Sequence, residues 1–180
     1  MLNLILKPSP VGVDHVIDQI QKRLSLKLDF GDVLTEVYPR AYKNPKTNNI
    51  TRLIPEIFVG NGDYKEVFFD DNLALMVYFL TDDKFEILKG GLMSGEISII
   101  VHANLVDLFN VESERKDEEL HLMFINALKN WAYKPTSIET GIKNVYREFD
   151  ISNVLLDDMS HQHVFRLNLS ATWQNCCKNC

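Results

Sequence analysis

The chain lacks most of what would mark an exported scaffold, a membrane protein or a nucleic-acid clamp. Of its 180 residues three are cysteine, and all three fall in the last five positions: Cys176, Cys177 and Cys180. Nothing upstream can pair with them, which argues against an extracellular disulfide framework and suits a reducing cytoplasm. Long apolar runs are missing too. The longest, Leu73 to Leu80, is far below the ~20 residues that cross a bilayer. The opening MLNLILKPSP has no basic leader and no small-residue cleavage site, so it reads as a short strand or arm. Basic blocks are absent and the net charge is −6. A tight grip on phosphates needs clustered Lys and Arg, so strong DNA binding is disfavoured. An acidic wall past which DNA slides is compatible with that charge.

What is present is an ordinary globular composition, 46% apolar and 24% charged, in a length that fits one domain and a real core. Val13, Val16, Ile17, Ile20, Leu24 and Leu28 follow the three-and-four spacing of an amphipathic helix. An extended piece around Val33 to Tyr38 follows. Pro39 to Asn49, PRAYKNPKTNN, has almost no apolar content and is expected to be an exposed, flexible loop. Leu53 to Val59 and Tyr64 to Phe69 read as strands joined by Asn61-Gly62, a strong hairpin signal. Leu73 to Leu80, apolar on both faces, suits a central strand, and Glu96 to Leu105 alternates.

A charged run, Glu112 to Glu119, leads into a second helix with the stripe Leu120, Phe124, Ala127, Leu128 and Trp131, widened by Met123. Its acidic first turn complements the helix dipole. Thr136 to Phe149 fits either a short helix or a strand. The chain closes on Phe165, Leu167, Leu169, Ala171 and Trp173, with Arg166, Asn168, Ser170 and Thr172 between them: a half-buried strand. The expected architecture is therefore α+β: an antiparallel or mixed sheet of about 4–6 strands with two main helices on one face. Residues 1–173 form the single domain of this reading, and 174–180 a flexible Cys-containing tail.

Chemistry is thinly marked. Asp157, Asp158, His161 and His163 could ligate a divalent metal, but two imidazoles on one strand supply at most half of a tetrahedral shell. The aspartates suit turn geometry. Cys176 and Cys177 are adjacent and chelate one ion poorly. Asp70-Asp71 and Asp82-Asp83 read as turns, Ser113 to Lys116 as a solvated charge run, and His15, His102 and His121 as structural. No catalytic, cofactor-binding or metal residue is assigned. The aromatics Tyr38, Tyr42, Phe58, Tyr64, Phe68, Phe69, Tyr78 and Phe79 gather around the hairpin, as core or as an interface edge.

VDHVIDQIQKRL, residues 13–24, resembles the opening of phage tail terminator and tail-completion proteins, as does the order of elements after it. The closing turn and strand HVFRLNLSATW, residues 163–173, is similar to the final strand of that family. The Asn-, Lys- and Ile-rich style is similar to that of phages of gut Bacteroidetes, including crAss-like phages. The resemblance implies a tail-terminator-like α+β subunit of a homo-oligomeric ring at the head–tail junction, with no enzyme activity and no cofactor. Its implied neighbours are other neck, portal-adaptor or tail proteins. DNA would only pass through the lumen, no membrane would be involved, and the protein would reside in the virion and, during assembly, the host cytoplasm. Two rival readings stand beside it: a metal-dependent enzyme using the Asp157–His163 cluster, and a cytosolic adaptor or binding module.

Overall fold

The structure, a computed structural model, describes residues 1–47, 51–68, 70, 72–111, 114–151 and 161–174. It is α+β. Among the described residues there are nine strands in one mixed, open sheet and four α-helices, more of each than the sequence pattern indicated. The strands are β1 (Asn3–Leu4), β2 (Thr35–Thr47), β3 (Thr51–Gly60), β4 (Asp63–Glu66), β5 (Leu75–Thr81), β6 (Glu86–Ile87), β7 (Leu92–Asn104), β8 (Pro135–Thr140) and β9 (Gln162–Gln174). The helices are α1 (Val13–Lys27), α2 (Leu105–Phe109), α3 (Asp117–Leu128) and α4 (Ile142–Val145). The sheet runs β4-β3-β2-β5-β7-β9-β8, with β1 parallel to β2 and β6 antiparallel to β7. The β2–β5 pair is parallel and gives the sheet its mixed character.

Alternation along the central strands explains why the sheet has a layer on each side. Leu75, Val77 and Phe79 of β5 join Ile97, Ile99 and Val101 of β7 and Phe165, Leu167 and Leu169 of β9 in one apolar layer. Helices α1 and α3 cover that layer with Val16, Ile17, Ile20, Leu24, Leu120, Phe124 and Leu128. Each such side chain contributes roughly 1.5–3 kcal/mol on full burial. Met76, Tyr78 and Leu80 of β5 point the other way, into a second layer with Ile100, Val145, Tyr146 and Phe149. The two short segments between α3 and β9 thus resolve the ambiguity of Thr136 to Phe149: it is strand first, then helix.

Two expectations are corrected. Pro39 to Asn49 was read as a loop, yet residues 39–47 belong to β2, which pairs with β3 from Ala41↔Ile57 to Thr47↔Thr51. Pro39 and Ala41 are buried. Polar composition misled here because ladder hydrogen bonds do not need apolar side chains on the solvent face. Asn48 and Asn49 lie outside the described residues. The closing strand is not half-buried along its length: Arg166 is 1% and Asn168 5% exposed. The second layer covers what would otherwise be the solvent face.

Beyond Arg40, β2 leaves β5 and continues with β3 and β4 as a three-stranded arm. Asn61 (φ 52°) and Gly62 (φ 86°) join β3 to β4 with both turn residues left-handed, as a type I′ hairpin requires.

Candidate functional site

A concavity lies where α3, α4 and the start of β9 meet. It measures about 680 Å³, and Asp117, Glu118, His121, Ile142, Gln162 and His163 are among the residues that line it. His121 comes from α3 and His163 from β9. Their Nε2 atoms lie 2.7 Å apart, a hydrogen bond in which one ring donates and the other accepts. Both rings pack on Phe165, at centroid distances of 4.7 and 5.8 Å. Burial, reinforced by the neighbouring His121, lowers the His163 pKa to about 4. Asp117 and Glu118 pull in the opposite direction and Arg115 adds to the lowering. His163 is therefore neutral at physiological pH, and the mutual bond satisfies both Nε2 atoms.

Sequence reasoning treated His121 as isolated and coupled His163 to His161 instead. A signal was there. His121 falls one residue after Leu120 and three before Phe124 on the buried side of α3, and His163 shares the parity of Phe165 and Leu167. The structure separates His161 from His163: His161 is exposed, its carbonyl accepting from the Leu105 N–H at 2.9 Å. Asp157, Asp158, Cys176, Cys177 and Cys180 lie outside the described residues. Among the described residues, no group of three or more His, Cys, Asp or Glu side chains is placed to hold a metal ion.

The other candidates take structural roles. Asp70 Oδ1 accepts from the Asn72 N–H at 3.1 Å, closing an Asx turn; Asp71 lies outside the described residues. His15 meets Gln19 one helical turn on, at 3.0 Å, and His102 is buried in β7. Glu114 and Glu119 both pair with Lys116, and Asp117 pairs with Arg115. Ser113 lies outside the described residues.

Two buried ion clusters tie the arm to the body. In the first, Asp14 at the start of α1 receives Lys7 and Arg40, with Arg40 Nε 2.9 Å from Asp14 Oδ1. In the second, Arg166 donates from Nε to Ser98 Oγ (3.0 Å) and Asn168 Oδ1 (3.1 Å), and from NH2 to Glu148 (3.0 Å). Lys43 of the arm closes on the other oxygen of Glu148 at 3.1 Å. Burial works to raise the Glu148 pKa, but Arg166 and Lys43 outweigh it and hold the carboxyl below its ordinary value. Both clusters have the character of fasteners, fixing the angle at which the arm leaves the sheet.

On the arm, Phe58 pairs across strands with Tyr64, and Tyr42 meets Tyr64 edge-on, at ring distances of 5.4 and 6.0 Å. Phe58 is 43% and Tyr64 46% exposed. By contrast Tyr38, Tyr78 and Phe79 are core. The aromatics gathered around the hairpin therefore divide into an interior set and an outward set. No helix among the described residues is long and apolar enough to cross a membrane.

Compared with protein-family models, curated proteins and solved structures, the chain matches none.

Proposed function

We propose that the chain is a structural subunit of a homo-oligomeric ring at the neck of a phage particle, with no enzyme activity of its own. The observation that carries this reading is the open sheet with unlike edges at its two ends. All four residues of β4 are exposed at one end, and β8 exposes Thr136, Ser137, Ile138 and Thr140 at the other. Unpaired strand edges invite association. Two different edges on opposite sides favour head-to-tail contacts, which close into rings when the rotation allows. The net charge of −6 agrees with a lumen that repels phosphates and keeps passing DNA mobile.

Native mass measurement and negative-stain imaging of the purified full chain test the proposal. Rings at high concentration, and the protein's presence in purified particles, are the expected results. A chain that stays monomeric and is absent from particles would refute it.

A further inference from the structure

We propose that His121 and His163 form a two-imidazole seat for a divalent transition metal, zinc in the first instance, which pins α3 to β9 at the wall of the cleft. Each donor stands on a different element, and packing already fixes both. His121 follows the fully buried Leu120 on α3, and His163 pairs with Ala103 in the ladder between β9 and β7. His121 is 6% and His163 8% exposed, and both rings lie against Phe165. A metal therefore has little rotamer freedom left to freeze. The Nε2 atoms converge at 2.7 Å. Two zinc–nitrogen bonds of about 2.0–2.1 Å at a tetrahedral angle set their nitrogens about 3.3 Å apart. The rings need to part by only about 0.6 Å to reach that spacing. Imidazole nitrogen suits zinc, copper and nickel, which sets the class of ion.

The proton balance works with the groups in place. In the bond between the rings one Nε2 carries a proton and the other a lone pair. With His163 as the acceptor, its proton already sits on Nδ1 and its Nε2 is ready to ligate. With His121 as the donor, metal binding moves the Nε2 proton to Nδ1, which faces the Glu118 carboxylate at 3.7 Å. A carboxylate behind a ligating imidazole orients the ring and raises its basicity. Asp117, from the same end of α3, is close enough to act on His163, while its Oδ2 accepts from Arg115. It serves as a counter-charge, not as a donor. His161 is exposed and takes no part. Two side chains donate, so the remaining positions fall to water from the cleft, which is also the entry path. Because α3 and β9 each supply one donor, the ion favours the folded chain by mass action. The seat lies within one chain and does not depend on ring formation.

The test is zinc titration of the full chain, purified without a His-tag and stripped of metal, followed by calorimetry and thermal melts. The natural chain is compared with one in which Cys176, Cys177 and Cys180 are changed to Ser, because thiolates also take zinc. Both should bind one zinc ion per chain at the seat, and their melting temperature should climb with free zinc. In the Cys-free background, His121→Phe and His163→Phe should each abolish the zinc-induced shift, while His161→Ala should keep it. Glu118→Gln should weaken zinc binding about tenfold or more, as loss of a partner behind a ligand does, and leave the metal-free melt unchanged. A Cys-free chain whose melt does not move in millimolar zinc would overturn the inference. So would zinc binding that persists undiminished in a folded His121→Phe or His163→Phe variant. If both variants fail to fold, copper decides: electron paramagnetic resonance of the otherwise unaltered Cys-free chain with Cu²⁺ should show two coupled imidazole nitrogens. Fewer than two would refute the seat.

Discussion

His121 and His163 share a single hydrogen bond between their Nε2 atoms, 2.7 Å apart and buried between α3 and β9. One ring must donate and the other accept, so a proton added to the accepting Nε2 would set two N–H donors against each other. The lowered His163 pKa, about 4 against an ordinary 6.5, gives the pH dependence its sign. Between those values the unfolded chain binds the proton and the folded chain does not. The contribution is therefore intact above about pH 6.5 and is lost as pH falls toward 4. Melting temperature across that window should drop for wild type, and His163→Phe should flatten the drop. Parallel curves for the two proteins would show that the pair does not govern it.

Phe165 is fully buried on the helix-covered face of β9. Phe165→Ala should cost roughly 3–5 kcal/mol in denaturant unfolding. Asn168→Ala should also be felt, by about 1–3 kcal/mol, because its side chain links Ser98, Ser137 and Glu139. A simple inside–outside alternation would make the second change nearly silent.

Gly95 sits where the edge-to-face pair Phe85–Trp173 closes over β7. A Cβ there would stand 2.6 Å from Phe85 Cδ1 and 3.2 Å from Trp173 Cη2. Gly95→Ala should destabilise by about 1–3 kcal/mol, as overpacking does, and change tryptophan fluorescence. Adding Phe85→Leu should recover part of the loss. No recovery would place the strain elsewhere.

Deleting residues 39–49 should abolish folding. The deletion removes buried Pro39 and Ala41, and it takes Arg40 from Asp14 and Lys43 from Glu148. Asp14 keeps Lys7 and Glu148 keeps Arg166, but each loses its second partner, and β3 loses its pairing with β2 from Ala41 to Thr47. A soluble, cooperatively melting deletion variant would restore the loop reading.

Periodicity was legible wherever burial is one-sided. The stripe of α1, the buried positions of α3, the Asn61-Gly62 turn and the inward residues of β9 all follow from spacing and turn chemistry. What misled was local polarity. Lys43, Asn44 and Pro45 read as loop because composition records side chains, while β2 is held by backbone pairing to a partner strand that starts several residues later. Arg166 read as solvent-facing for a related reason: alternation reveals two faces but not whether a second layer covers the polar one.

The sequence by itself therefore determined the two long helices, the Asn61-Gly62 turn and the inward faces of the central strands, since those depend on spacing along the chain. Tertiary structure alone decided which strands neighbour which, that both faces of the sheet are covered, and that His121 meets His163 across 42 positions of sequence. It also decided that Arg166 and Lys43 converge on Glu148. Such contacts are set by chain crossings and long-range packing, and no local pattern of residue types encodes them.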